Sequence, residues 1–272
     1  MFKNVISTCY LLFATIFIMN AQGVEVGFFV GSSGYMGDLQ STHLEKADIS
    51  LAAGVIGKYR INEFLDARIS FIKSTISGED RGGSASRNLS FKSQIKELNA
   101  LAEFHFLSFL TGDRPIFSPY VFGGVAGFHH NPKAVYQNQW YDLQPLRTEG
   151  QNSAYGLYQV SIPGGFGAQV YLTDAISIGM EGGIRKTFTD YLDDVSGNYT
   201  DVDALAETNS IAAGLAFRTP EYLDDDKLPN PLGQQRGNSN RKDAYWFGGV
   251  TFMVNIAGLM ELAGGPGIYN PF

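Results

Sequence analysis

Between Gln94 and Phe106 the chain alternates without a break. Leu98, Ala100, Ala102, Phe104 and Phe106 fall on one face of an extended strand, and Glu97, Asn99, Glu103 and His105 fall on the other. Ile176, Ile178, Met180 and Ile184 likewise oppose Ser177, Gly179, Glu181, Gly183 and Arg185. Glu25, Lys58, Asp66 and Arg68 stand on the second face of their own alternating stretches. Alternation alone does not say which face is out. A soluble barrel would turn its apolar face inward around a ligand and leave the polar face in water. Here ionisable residues recur on the second face of nearly every strand. A narrow eight-stranded interior can pair such groups with one another, as it must, because unpaired buried charge is costly. The apolar faces are then left to touch lipid. The expected fold is all-β: an eight-stranded antiparallel transmembrane β-barrel.

The strands are read at 24–31, 49–59, 64–76, 94–106, 119–128, 159–172, 176–186 and 245–256. Their connections alternate long, short, long, medium, long, short, long, the order of outer loops and periplasmic turns when both termini are periplasmic. The segment 209–219 is ambiguous. Ile211, Ala213, Leu215 and Phe217 alternate as in a strand, while Ala204, Leu205, Ile211, Ala212, Leu215 and Ala216 form a helical stripe. A ninth spanning strand would make the count odd, so a short helix in the loop is expected. Tyr59, Phe64, Phe106, Tyr120, Tyr171, Tyr245 and Trp246, near strand ends, are expected in interfacial girdles. The barrel is assigned to 22–256, with 188–243 as a long, partly helical outer loop and 257–272 as a periplasmic tail.

Lys3 followed by the apolar run Val5 to Met19 and by Ala21-Gln22-Gly23 reads as a secretory signal spanning 1–21. Its apolar run falls short of the ~20 residues that cross a bilayer. The single cysteine, Cys9, lies within it, so the mature chain carries no disulfide. Loss of Lys3 takes the formal charge from −7 to −8, which argues against nucleic acid as a partner.

Little suggests chemistry. His105 shares a face with Glu103, and Ser70 or Ser161 is a candidate neighbour, the set a lipid-modifying enzyme would need. His105 falls at the inner end of its strand, however, away from outer-leaflet lipid, and is read as part of an interior network with Glu25, Lys58, Asp66, Arg68, Glu97, Glu103, Glu181 and Arg185. His129-His130 reads as a surface pair, and no zinc spacing completes it. Asp224-Asp225-Asp226 lacks the alternating carboxylates of a calcium loop. The acidic stretch 188–243 is expected to be solvated. No metal, cofactor or small-molecule substrate is expected.

Three stretches carry a resemblance. They are Glu25-Val26-Gly27-Phe28-Phe29 leading to Tyr35-Met36-Gly37-Asp38-Leu39; Arg87-Asn88-Leu89-Ser90-Phe91-Lys92 before Ile95-Lys96-Glu97-Leu98; and Arg185 through Ser196. The last is followed by Arg236-Gly237-Asn238 and Asp243-Ala244-Tyr245-Trp246-Phe247. In this order the chain resembles the PorG-like outer-membrane barrels of the type IX secretion system. The resemblance implies a non-enzymatic barrel, bathed in outer-membrane lipid, that anchors a periplasmic ring built from a lipoprotein and its partner subunit. It implies no catalytic residue. Asp190, Tyr191, Leu192, Asp193 and Asp194 form its most specific motif, placed by the strand order at the outer mouth. Candidate periplasmic contacts are Asn62, Glu63, Asp113, Arg114 and Asp174 in the turns, with Leu259, Met260, Ile268, Tyr269 and Phe272 in the tail. That tail departs from the family pattern in being more apolar. The alternatives are a lipid-modifying enzyme centred on His105 and a passive OmpX-like surface-binding barrel.

Overall fold

A computed structural model describes residues 23–39, 49–80, 86–225 and 227–262. Among them, strands run in the order β1 (Val24–Met36), β2 (Ser50–Asn62), β3 (Leu65–Glu79), β4 (Ser90–Phe104), β5 (Phe117–His129), β6 (Pro132–Tyr136), β7 (Gln139–Asp142), β8 (Tyr158–Tyr171), β9 (Ile176–Thr187) and β10 (Ala244–Asn255). Eight of these form a closed antiparallel barrel in the order β3-β2-β1-β10-β9-β8-β5-β4, sealed by the pairing of β3 with β4. Closure leaves no free edge. The β6–β7 hairpin extends β4 beyond the wall through Lys92 opposite Lys133.

The wall separates its two faces as the alternation requires. Val26, Phe28, Val55, Ile69, Leu98, Val125, Val160 and Met180 point outward and are exposed, while Glu25, Lys58, Arg68, Glu97, Glu103 and Arg185 point inward and are buried. A continuous apolar belt outside and paired charge inside define a transmembrane barrel.

The strands outrun the hydrophobic pattern that announced them. Glu79 pairs with Ser90, so 77–79 and 90–93 of the expected polar loop 77–93 are ladder. Outward positions toward this end of β3 and β4 are polar (Lys73, Lys92), whereas Ile76, Phe91 and Ile95 remain buried inside. The wall therefore continues past the lipid, with its inner face still packed.

The segment 204–219 is helical. α2 (Val202–Thr208) and α3 (Ser210–Ala216) are broken at Asn209, whose side chain accepts from the amides of Ile211 and Ala212. Asp201 caps α2 in the same way, and α4 (Thr219–Leu223) follows. At the opposite end, the turn after β4 contains α1 (Phe106–Thr111), closed by Gly112 at φ +83°. After β10 the chain turns into α5 (Ile256–Leu262). The tail assigned to 257–272 thus begins as a helix. The leader 1–21 with Cys9, His43, and Ile268, Tyr269 and Phe272 lie outside the described residues.

Candidate functional site

Because β3 pairs with β4, and β9 lies across the barrel, their inward side chains meet at the axis. Arg68 donates to Glu103 at 2.8 Å and, with both terminal nitrogens, to Glu181 at 2.6 and 3.0 Å. Lys58 reaches Glu103 at 2.7 Å, and the Tyr120 hydroxyl donates to Glu181 at 2.8 Å. One layer toward the long loops, Glu97 accepts from Tyr245 at 2.6 Å and from Asn99 at 2.7 Å, with Arg185 at 3.5 Å stacked on Phe247. Toward the turns, Arg60 pairs with Glu25 at 2.9 Å. Each acid has a base, as a low-dielectric interior demands. Two glycines make room for the rings. Gly165 and Gly183 lie against Phe122, where a Cβ would come within 2.6 and 2.7 Å of the ring. Tyr120, Tyr171 and Tyr245, expected in the interfacial girdles, belong to this interior instead, because their strand positions fall on the inner face.

His105 is buried at the turn end. Its Nε2 lies 3.1 Å from Asp66 and its Nδ1 2.8 Å from Ser118. The serine partner is therefore neither Ser70, which donates to Asn99, nor Ser161, which sits at the loop end opposite Thr187. Ser118 lies on β5, and only the β4–α1–β5 turn brings it to His105. Ser118, His105 and Asp66 form the sequence of contacts used in nucleophilic catalysis. Here all three are buried, and Arg114 holds the Asp66 carboxylate at 2.8 Å. Asp66, Glu103 and His105 also offer ligand atoms within 4.8 Å of one another. Lys58, Arg68 and Arg114 already neutralise the two carboxylates, so the cluster has no charge left to attract a cation.

Arg114 corrects the expected partner surface. Its guanidinium turns into the barrel, binding Asp66, the Tyr171 hydroxyl at 2.9 Å and the carbonyls of Asn62 and Glu63. Burial opposes its charge, yet Asp66 and the Tyr171 hydroxyl together raise its pKa above the ordinary value. Glu63, Asp113, Asp174, Leu259 and Met260 are exposed, and Asn62 is half-buried with its side chain capping the Phe64 amide.

The acidic stretch expected in water is a folded cap. Asp190, Leu192, Asp193 and Asp194 are buried and Tyr191 is half-buried. Leu192 and Val195 join Leu39, Leu89, Ile95, Phe128 and Leu215 in one apolar core over the barrel mouth. Tyr35 donates to Asp193 and lies 3.1 Å from Asp243, which in turn accepts from the Leu192 amide at 3.0 Å. Asp194 accepts from Thr148 and from Tyr155 at 2.8 Å. Arg236 ties this turn to the rest, reaching Glu149 at 3.0 Å and the carbonyls of Asp194 and Ala216. Burial raises the pKa values of Asp193 and Asp243, and pushes Asp194 up to about 6 despite Arg236. His130, read as half of a surface pair, is buried against Tyr155, and burial lowers its pKa to about 4. Sequence could have flagged the cap through Leu192 and Val195, apolar residues set among acids.

The arrangement is that of a sealed transmembrane barrel, filled along its axis and capped at its mouth. The chain matches, over residues 3–211, the model of a family described as a domain of unknown function, DUF6089, and belongs to that family. No curated protein matches it. Among solved structures it is similar to Ail, the attachment invasion locus protein of Yersinia pestis, at 12% identity and TM-score 0.40, covering 85% of this chain and 99% of that one. It is similar to Neisserial surface protein A at 8% and 0.43, covering 86% and 97%, and to OprG of Pseudomonas aeruginosa at 8% and 0.38, covering 86% and 98%. At these values the likenesses carry no functional argument.

Proposed function

We propose that this chain is a non-enzymatic anchor in the outer membrane, tethering a periplasmic ring of lipoprotein and partner subunit in the type IX secretion machinery. The observation that carries the reading is the filled lumen, in which Lys58, Arg68, Glu103 and Glu181 cross-link the barrel at its axis. A barrel with no passage acts through its surfaces. The end with short turns offers one: Leu110, Ile116, Leu259 and Leu262 are all at least half exposed there. The ordered motifs at Glu25–Leu39, Arg87–Leu98 and Arg185–Ser196 support the secretion-system assignment.

The test is affinity purification of the tagged protein from membranes, with Leu110→Asp and Met260→Asp variants alongside. A periplasmic lipoprotein should accompany the wild type and be lost from the variants while their barrels remain folded. Wild-type barrel arriving without one would sink the reading. The Ser118–His105–Asp66 contacts favour the lipid-modifying alternative. Turnover of labelled lipid A that disappears in Ser118→Ala would promote it.

A further inference from the structure

At the upper border of the apolar belt the lipid-facing wall changes character. Lys73 on β3 stands directly opposite Lys96 on β4, Lys96 opposite His129 on β5, and His129 opposite Tyr158 on β8. Lys73 and Lys96 are exposed, and their strand neighbours Ile72 and Ile95 are buried, so both lysines project outward. Two outward positions closer to the turns, on the same strands, stand exposed Phe71 and Leu98. The row therefore lies at the lipid–headgroup boundary on the side of the long loops.

Directly opposed strand residues have Cβ atoms ~5 Å apart, and like charges there destabilise a sheet. Among the described residues no acid pairs with Lys73 or Lys96, and Asp142 on the β6–β7 hairpin is engaged by Lys133 at 2.8 Å. Beneath the row runs an open groove of about 590 Å³, lined by Phe71, Leu98, Tyr158 and Val160 and bounded by Lys96 and His129. Gly127 lies in its floor, and a Cβ there would meet nothing within 4 Å. A side chain at this position would fill the trough without disturbing the wall.

We propose that this face binds one phosphorylated lipid of the outer leaflet. Its phosphate bridges Lys73 and Lys96, with His129 beside them, and an acyl chain lies in the trough over Gly127. The anion converts a cross-strand repulsion into two attractions, and the trough accounts for the apolar part of the ligand. Neither feature depends on the anchoring role.

The experiment compares wild type, Lys73→Gln/Lys96→Gln and Gly127→Leu in phosphatidylcholine nanodiscs doped with bisphosphorylated lipid A or its dephosphorylated form. Native mass spectrometry reads retention, and heat-dependent gel mobility verifies folding. Wild type should prefer the phosphorylated lipid by on the order of tenfold, as expected for two lysines near a headgroup. The double lysine variant should lose that preference. Gly127→Leu should weaken both lipids, and inorganic phosphate should not displace the bound one. Equal retention of the two lipids by wild type, an unchanged preference in the lysine variant, or full displacement by inorganic phosphate would each overturn the proposal.

Discussion

The hydroxyl of Tyr35, at the top of β1, bridges the carboxyl groups of Asp193 and Asp243, which come from opposite ends of the 188–243 loop. A phenol has one proton to give, so two hydrogen bonds among three oxygens need a second proton on a carboxyl group. The raised pKa values of both aspartates are consistent with that shared proton. A carboxyl group whose folded pKa lies above its unfolded value near ~3.9 stabilises the fold fully below that value and loses the contribution as pH rises. With Asp194 titrating at about 6 and the pair above its ordinary range, the cap should loosen progressively from mildly acidic to alkaline pH. Intrinsic-rate-corrected hydrogen exchange at the Leu192 and Val195 amides should show stronger protection at pH 5 than at pH 9. Equal protection would refute the shared proton.

Arg68 is the hub of the lumen, so Arg68→Ala should leave Glu181 with an uncompensated buried charge, while Glu103 keeps Lys58. The expected loss is about 3–5 kcal/mol, read from urea unfolding in lipid vesicles. Arg68→Met/Glu181→Met should cost less than Arg68→Ala alone, because it removes charge of both signs. A larger loss in the double variant would contradict the pairing.

Gly164 and Gly165 are adjacent, yet they face opposite environments. A Cβ on Gly164 meets nothing, whereas one on Gly165 would come within 2.3 Å of the Gly182 carbonyl and 2.6 Å of Phe122. Gly165→Ala should destabilise the barrel by about 1–3 kcal/mol through overpacking, with Gly164→Ala close to neutral. Paired thermal or urea midpoints decide it.

Side chains fill an eight-stranded interior, so the purified protein should give no conductance steps in planar bilayers. Stable unitary currents from wild-type protein would show that the axial network opens.

The faces of the wall were legible in the chain because period-two alternation is a local property, read off Gln94–Phe106 without knowing any neighbour. Its interior charges were legible for the same reason. The helical character of 204–219 followed from the parity of strand numbers, and Asn209 supplied the cap that splits it. Strand ends were not legible, since the ladder outlasts the apolar stripe once the wall leaves lipid.

Which interior groups meet was decided only by closure and register. Ser118 reaches His105, and Arg114 leaves the expected docking surface for Asp66, because the β4–α1–β5 turn folds over the barrel's end. The stretch Asp190–Asp194 has an acidic composition that suits water. Buried donors from Tyr35, Thr148 and Tyr155 make it a cap, and those donors are distant in the chain. Lys73, Lys96 and His129 become a row only through the pairing of β3, β4 and β5. Sequence by itself determined which residues of a strand share a face. Tertiary structure decided every partner, because partners across a closed barrel depend on register, which no single strand encodes.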